Sequence, residues 1–124
     1  MIRNLRAGDS LPDWVDLVFK KLDSEWIWVL EEREQIKVVL VAAPIHDIVL
    51  LCRVQALQPE SKMWWKQIMK RVSADCRARG FSTYMVSTLA EDKASRGLNA
   101  FFSRHGAQRL KEGVCYKGEW RQIG

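Results

Sequence analysis

The chain contains no hydrophobic run close to the roughly 20 residues that a transmembrane helix needs. Its first residues, Met1 to Arg6, carry charge but no apolar core, so we expect no secretory signal there. Its three cysteines, Cys52, Cys76 and Cys115, form no Cys-x-x-Cys pair, and we interpret them as reduced, mostly buried thiols. These absences predict a cytoplasmic protein that does not enter a membrane.

Histidine and the common catalytic motifs are also scarce. The two histidines, His46 and His105, have no cluster of cysteines or carboxylates nearby, so we predict no metal site. The chain lacks a Gly-x-Ser-x-Gly elbow, a Walker phosphate loop and a His-Glu-x-x-His pair. Motifs therefore identify no catalytic residue.

What is present fits one globular domain. At 124 residues, 48% hydrophobic and 28% charged, the chain is long enough for a single core. No repeat, low-complexity tract or linker interrupts it, so we expect one domain over residues 1–124. The net charge of +5 permits an anionic partner without requiring one. Six tryptophans are unusual in so short a chain, and two adjoin at Trp64–Trp65.

Hydrophobic periodicity predicts elements in the order β-α-β-β-β-α-β-α-β-β. The fourth strand, the second helix and the fifth strand form a βαβ unit, so those two strands should be parallel. We predict an α/β (α+β) fold: a mixed sheet of six or seven strands with helices on both faces, splayed between those two strands. The predicted strands are Ile2–Leu5, Trp26–Leu30, Ile36–Ala43, Ile48–Leu57, Phe81–Thr88, Gln108–Leu110 and Val114–Tyr116; the helices are Ser10–Leu22, Lys62–Arg79 and Lys93–His105; Pro44–Asp47 is a turn.

The passage from the fourth strand into the second helix is the most informative stretch. The first N–H groups of a helix are unpaired and its dipole favours an anion, so this geometry suits a phosphate-bearing ligand. The loop from Pro59 to Trp65 nevertheless contains no glycine. The basic side of the helix, Lys66, Lys70 and Arg77, is interpreted as a solvated face. Nucleic-acid binding is the weakest hypothesis, because the tryptophan pair lies on the opposite side.

The order of elements resembles the GNAT acyltransferase family over essentially the whole chain. The run Ala100-Phe-Phe-Ser-Arg-His-Gly106 is similar to the family's Leu-Tyr-x-x-x-Gly-Phe pattern, and Ile2-Arg-x-x-Arg-Ala-Gly-Asp9 is similar to its start. Trp28–Glu32 before a hairpin also fits. The resemblance implies a GNAT-like acyl-CoA N-acyltransferase fold that binds acetyl-CoA or another acyl-CoA and acylates an amine or protein acceptor.

The resemblance also implies the ligand-binding residues. The strand edge at Gln55 and Leu57 would bind the pantetheine arm, and the backbone from Lys62 through Trp64 to Trp65 would face the pyrophosphate. Lys62 takes the place of the family's loop arginine, and Trp64 or Trp65 could instead be core anchors.

Several positions depart from the family pattern. Met63 and Trp65 stand where the family has glycines that let backbone N–H groups approach the pyrophosphate. Phe102 occupies the place of the tyrosine that protonates the departing thiolate, and phenylalanine has no proton to donate. Ser95 falls where a CoA-contacting asparagine often stands.

Two functions therefore stay open. One is a degenerate but active acyltransferase, for which His46, Asp47, Glu31 and Glu32 are the candidates for a base. The other is a GNAT-fold protein without catalysis that binds a protein partner, similar in style to small proteins with which bacteriophages act on host enzymes in the host cytoplasm. Tryptophan is enriched in interface hot spots, which suits the second. The oligomeric state is not indicated.

Overall fold

A mixed sheet of seven strands is the frame of the structure, a computed structural model that describes residues 1–9, 23–57, 65–87, 93–111 and 115–124. Its strands are β1 (Ile2–Asn4), β2 (Ile27–Glu32), β3 (Gln35–Ile45), β4 (Ile48–Ala56), β5 (Thr83–Ser87), β6 (Gln108–Lys111) and β7 (Cys115–Glu119), and the described helices are α1 (Trp65–Ala78) and α2 (Lys93–Arg104). Across the sheet the order is β1-β2-β3-β4-β5-β7-β6. The predicted mixed sheet is confirmed; the helix predicted over Ser10–Leu22 lies outside the described residues.

Two tight hairpins join β2 to β3 and β3 to β4. Arg33 and Glu34 connect the first pair with left-handed φ angles of 51° and 65°, which suit the right-handed twist of the strands. The second turn is shorter than the predicted Pro44–Asp47 segment, because Pro44 still pairs with β4. β2 pairs no further than Val41 of β3. Among the described residues, Pro44 therefore lies where no strand pairs with one edge of β3, a position at which a strand tolerates proline.

β4 and β5 are parallel neighbours, as the βαβ pattern predicts. Their register runs from Ile48 with Thr83 to Leu51 with Val86. On the other side of β5, β7 is antiparallel and β6 pairs with β7. The predicted terminal hairpin is confirmed, and its second strand is longer than predicted because it continues to Glu119.

The sheet carries a separate hydrophobic cluster on each face. In β2, Trp28 and Leu30 point to one face and Ile27 and Val29 to the other, as the alternation of a strand requires. Both described helices pack on the first face. The large cluster consists of Trp26, Trp28, Leu30, Val38, Leu40, Ala42, Val49, Leu51, Ile68, Met69, Val72, Cys76, Tyr84, Val86, Phe101, Phe102, Tyr116, Trp120 and Ile123. The small cluster consists of Ile27, Val29, Val39 and Val41, with Leu5, Ile36 and Leu57 packed against it.

Helix α1 has the amphipathic pattern that the sequence predicts. Ile68 and Met69 are fully buried, whereas Lys66 and Lys70 are exposed, so the basic side is a solvated face. Burial raises the pKa of the Cys76 thiol to about 12, which keeps it protonated and unreactive at neutral pH. Neither of the helices that the structure describes is long and apolar enough to cross a membrane.

Tyr84 is fully buried in the large cluster and fills the space that Gly118 leaves open. Its ring centroid lies 4.7 Å from that of Trp120 and 5.5 Å from that of Phe102. A Cβ atom on Gly118 would stand 2.5 Å from the Tyr84 hydroxyl oxygen. Burial raises the pKa of Tyr84 to about 12, and its hydroxyl has no hydrogen-bond partner among the described residues. Tyr84 is therefore a packing residue.

We expect Gly118→Ala to destabilise the protein by about 1–3 kcal/mol, because the added methyl group overlaps the Tyr84 ring and hydroxyl. Gly97→Ala is the matched control, since Gly97 lies in α2 and the added carbon would meet no described residue outside its own helical turns within 4 Å. That change should stabilise the helix by up to about 1 kcal/mol. Urea unfolding measures both variants, and effects of the same sign would contradict the packing role of Gly118.

Candidate functional site

The parallel pairing of β4 with β5 ends before β4 does. Their parallel pairing stops at Leu51 and Val86, although β4 continues to Ala56 and β5 to Ser87. Within the described ranges, no strand pairs with this edge of β4 beyond Leu51. We call the space between the Cys52–Ala56 edge of β4 and the end of β5 the β4–β5 gap. The splay that the sequence predicts would lie at this position and stays a prediction.

A β-bulge in β4 lies where the gap begins. Arg53 is in register with Val41 of β3, whereas Leu51 is in register with Ala42, so Cys52 is an extra residue without a partner on β3. A bulge bends its strand and increases the local twist. β4 stays paired with β3 on both sides of the extra residue, which directly follows the last β4 residue that pairs with β5.

The alternation of hydrogen bonds along β4 shows which backbone groups face the gap. The N–H of Leu57 donates to the C=O of Lys37 at 2.8 Å, so Leu57 faces β3. Residues of an antiparallel strand face their neighbour and face away in turn. Gln55 therefore also faces β3, and Val54 and Ala56 face the gap. The N–H and C=O groups of Val54 and Ala56 can pair with a ligand that lies along β4 like an added strand.

The side chains of Gln55 and Leu57 point to the sheet face that lies away from the helices. Gln55 is in register with Val39 of the small cluster, and Leu57 packs against that cluster. The Oε1 atom of Gln55 is shielded from solvent, and no described residue donates a hydrogen bond to it. Sequence reasoning placed the binding edge at Gln55 to Leu57 and missed Val54, because the bulge that sets which backbone groups face the gap has no signal in the sequence.

Helix α1 follows β4 in the chain and begins at Trp65. Its N-terminus supplies unpaired N–H groups and the positive end of the helix dipole, which favour an anion such as a phosphate. The predicted pyrophosphate contacts Lys62, Met63 and Trp64 lie outside the described residues, and so does the side chain of Trp65. These assignments stay predictions.

Phe102, which the sequence resemblance aligns with the family's acid, is fully buried in the large cluster. Its ring contacts Tyr84 and stacks on Tyr116, whose centroid is 6.2 Å away. Tyr116 was not singled out from the sequence, yet its register partner Val86 is the last residue of β5 that pairs with β4. A phenol thus stands beside Phe102. Ser95 lies in the first turn of α2, and its side chain is outside the described part.

Two of the four candidate bases lie at the wrong end of the sheet. His46 and Asp47 form the turn that precedes β4, whereas the gap opens at the other end of that strand. A strand rises about 3.3 Å per residue, so Asp47 and Val54 are about 23 Å apart along it. Neither His46 nor Asp47 can act on a ligand bound beside Val54. The other two candidates lie on β2, at the end of the sheet where the gap opens.

Glu31, one of those two, is held in an ion-pair cluster around Arg3. Arg3 donates to the carboxylate oxygens of Asp9 at 2.9 and 2.8 Å and to Glu31 Oε2 at 2.8 Å. The side chains of Arg3 and Asp9 are only 9% and 13% exposed, so solvent screens this pair little. The hydrogen bond from Arg3 lowers the pKa of the Asp9 carboxyl. Glu31 is therefore a structural carboxylate, whereas Glu32 is exposed.

The other described regions were compared with the gap as places for a ligand or a metal ion, and they hold fewer suitable groups. A groove of about 390 Å³ lies at the opposite end of the sheet and is lined by Arg77, Gly80, Phe81, Ser82, Glu119 and Arg121. It is open to solvent and contains none of the predicted site residues. The described residues hold no group of three or more His, Cys, Asp or Glu side chains placed to bind a metal ion.

The chain matches no protein-family model and no curated protein sequence. Its fold, however, is similar to solved acetyltransferases. The ribosomal-protein-S18-alanine N-acetyltransferase from Escherichia coli has a TM-score of 0.76 at 12% identity, over 96% of this chain and 92% of that one. A GNAT family acetyltransferase from Elizabethkingia anophelis with acetyl-CoA bound has a TM-score of 0.69 at 11% identity, over 96% and 97% of the two chains. An aminoglycoside 6'-N-acetyltransferase complexed with coenzyme A has a TM-score of 0.71 at 10% identity, over 97% of each chain.

These similarities show that the chain has the GNAT acyl-CoA N-acyltransferase fold, which confirms the fold class implied by the sequence resemblance. At such low identity the likeness concerns the architecture alone.

We expect Asp9→Asn to lower the free energy of unfolding at pH 7 by about 3 kcal/mol, because Arg3 loses one of its two carboxylate partners. The pKa of Asp9 is lower in the folded chain than its ordinary value. The ion pair therefore stabilises the fold fully above the unfolded pKa of about 4, and this contribution is lost as the pH falls through the folded pKa. Urea unfolding of both proteins at pH 7 and at pH 3 should show the difference shrinking at the lower pH.

Glu119→Gln is the control for this experiment. Glu119 pairs with Arg121 on the surface, where the two side chains are 48% and 77% exposed. Such a pair contributes at most about 1 kcal/mol. An equal loss in both variants, or a loss in Asp9→Asn that persists unchanged at pH 3, would show that the Arg3 cluster does not stabilise the fold as described.

Proposed function

We propose that the chain is a divergent GNAT acyltransferase that binds acetyl-CoA or another acyl-CoA in the β4–β5 gap and transfers the acyl group to an amine or protein acceptor. The observation that carries the proposal is the edge of β4 beyond the Cys52 bulge, where Val54 and Ala56 turn their backbone groups away from β3. An acyl-CoA, when bound, supplies an acyl group activated as a thioester.

The described residues fit such a ligand. The pantetheine arm of CoA carries amide groups, which can pair with the N–H and C=O groups of Val54 and Ala56 as a neighbouring strand would. The N-terminus of α1, at Trp65, belongs to the segment that leaves this end of β4 and suits the pyrophosphate. Lys62 can add a cation in place of the family's arginine.

The contribution of the protein would be mainly to hold the acyl donor and the amine together, which can lower a barrier by roughly 7–11 kcal/mol. Transfer exchanges the carbon–sulfur bond of the thioester for a carbon–nitrogen bond, and the proton lost by the amine must end on the sulfur. Phe102 cannot deliver that proton. The hydroxyl of Tyr116, which stacks on Phe102, or a water molecule would take this role.

The alternative is a GNAT-fold protein that binds a protein partner, a host enzyme if the chain comes from a bacteriophage, without catalysis. The missing loop glycines and the missing tyrosine support it. The tryptophan argument supports it less, because Trp26, Trp28 and Trp120, half of the six, are buried in the large cluster and are not available as interface hot spots. We therefore prefer the acyltransferase.

We expect CoA and acetyl-CoA to bind in the micromolar range or more weakly, because Met63 and Trp65 replace the family's loop glycines and their side chains would crowd the backbone that meets the pyrophosphate. Losing one charge-assisted hydrogen bond costs about 1.5–3 kcal/mol, or roughly ten- to a hundredfold in affinity. Met63→Gly should recover part of that factor in a calorimetric titration.

Pantetheine is the matched ligand control, since it lacks the pyrophosphate and its affinity should not change in Met63→Gly. Submicromolar binding of CoA to the wild type would contradict the proposed crowding. If neither CoA nor acetyl-CoA binds, the acyltransferase is wrong and the partner-binding alternative stands.

We expect Phe102→Tyr to raise acyl transfer or acyl-CoA hydrolysis, by as much as about 10²-fold, because it returns a phenol to the acid position. Phe101→Tyr is the control, since the ring of Phe101 packs on His105 at a centroid distance of 4.1 Å. Thiol release measures both. A protein without catalysis would show background activity and a small loss of stability from the buried phenol. A robust wild-type activity that Phe102→Tyr leaves unchanged, but Tyr116→Phe lowers, would identify Tyr116 as the donor.

A further inference from the structure

The groove at the end of the sheet away from the β4–β5 gap lies between two segments that the fold joins firmly. One wall is the turn from the end of α1 into β5, within residues 77–82, and the other is the end of β7 with the turn that follows it, within residues 119–121. The N–H of Trp120 donates to the C=O of Ser82 at 2.9 Å. The C=O of Trp120 in turn accepts from the buried hydroxyl of Ser73 on α1 at 2.6 Å. These two hydrogen bonds hold the walls of the groove in place.

Two arginines, one from each wall, line this groove. Arg77 is exposed and makes no hydrogen bond or ion pair with any described residue. Arg121 donates its Nε to the carboxylate of Glu119 at 2.5 Å, so its two terminal nitrogens stay without an acceptor in the described part of the chain. Glu119 is the one carboxylate among the lining residues. The groove therefore carries a net positive charge and several guanidinium donors that the fold does not use.

The other lining groups suit a peptide segment better than a single ion. Phe81 is half-buried, with its ring packed edge-on against Trp26 at a centroid distance of 5.4 Å, and it gives the groove an apolar surface. Ser82 is exposed, and its hydroxyl makes one long contact with Thr83 Oγ1 at 3.4 Å. A volume of about 390 Å³ has room for more than one side chain. Guanidinium groups bind carboxylates in bidentate pairs, whereas a nucleic acid needs a longer basic track than two arginines beside a glutamate.

We propose that this groove binds an acidic segment of a protein partner, whose Asp or Glu carboxylates pair with Arg77 and with the terminal nitrogens of Arg121. Glu119 holds the Arg121 guanidinium by accepting from its Nε, and it also repels an incoming carboxylate, so it limits the affinity. The groove and the β4–β5 gap lie at opposite ends of the sheet, so the partner can bind whether the gap is occupied or empty. The inference therefore goes beyond the proposed acyl transfer and does not rest on it.

Two capped peptides, hexaglutamate and its neutral counterpart hexaglutamine, test the proposal without knowledge of the natural partner. The full chain is titrated with each peptide, and the amide signals are followed by NMR. We expect hexaglutamate to shift the signals of Gly80 and Ser82, which line the groove, and hexaglutamine to leave them unchanged. The affinity for hexaglutamate should fall as the salt concentration rises from about 0.05 to about 0.3 M, because salt screens exposed charges.

Two substitutions should change this affinity in opposite directions. Arg77→Gln should weaken hexaglutamate binding about three- to fivefold, as for one exposed ion pair. Arg104→Gln is its matched control, since Arg104 is exposed in the last turn of α2, as Arg77 is in the last turn of α1, but does not line the groove. Glu119→Gln should strengthen binding by a similar factor, because it removes the competing carboxylate, and damage to the fold would not produce such a gain. Glu32→Gln, an exposed carboxylate at the other end of the sheet, controls for the change in total charge.

Three results would overturn the inference. Equal losses in Arg77→Gln and Arg104→Gln would show that the net charge alone attracts the peptide. Weaker binding to Glu119→Gln would show that this carboxylate does not compete with the ligand. A thymidine hexanucleotide that shifts the Gly80 and Ser82 signals at a lower concentration than hexaglutamate would show that the groove recognises phosphate and not an acidic peptide. None of these results changes the outcome of the acyl-CoA titrations, so the inference and the proposed function fail separately.

Discussion

The register between β3 and β4 is the constraint on which the candidate site depends. β4 needs its hydrogen bonds to β3 along its length, because the two strands are central to the sheet and their backbone groups are buried. The bulge at Cys52 changes the register by one residue without breaking that pairing. The register beyond the bulge sets which backbone groups of β4 hydrogen-bond to β3. It leaves the N–H and C=O groups of Val54 and Ala56 on the unpaired edge. The backbone groups that face the gap thus follow from the hydrogen-bond pattern between β3 and β4.

The rest of the fold keeps the other end of the same strands closed. Leu51 and Val86 end the parallel pairing inside the large cluster, and Tyr84 fills the space above Gly118 next to Trp120. Close packing of this kind resists deformation. Pairing and packing thus hold β4 and β5 together at the end of the sheet away from the gap. The small cluster gives the opposite face much less apolar cover among the described residues, so the two faces of the gap differ in character.

The parts of the fold that are encoded locally could be predicted from the sequence. The alternation of β2 and β3, the apolar side of α1 at Ile68 and Met69, and the parallel βαβ unit all follow from periodicity and chain order. Features that depend on pairing between distant positions could not. The bulge at Cys52 and the stacking of Tyr116 on Phe102 depend on the register of strands far apart in the chain.

The same limit applies to single residues whose sequence context fits two different structural roles. Pro44 looks like part of a turn, but the extent of β2, which lies elsewhere in the chain, makes it a strand residue. Glu31 looks like a free carboxylate until the fold brings Arg3 to it. Gln55 was predicted to bind the ligand through its backbone. The fold instead directs that backbone to β3 and leaves the side-chain oxygen without a hydrogen-bond partner among the described residues.

A binding site made largely of main-chain groups, as proposed for the edge of β4, has an evolutionary consequence. The N–H and C=O groups of Val54 and Ala56 would be the same with almost any side chains at those positions, so mutations can replace most of β4 without erasing the recognition surface. Selection must instead preserve the number of residues on either side of Cys52. An insertion or deletion there would turn the N–H and C=O groups of Val54 and Ala56 away from the gap. Such a site is compatible with an identity of only 10–12% between this chain and solved proteins of the same architecture.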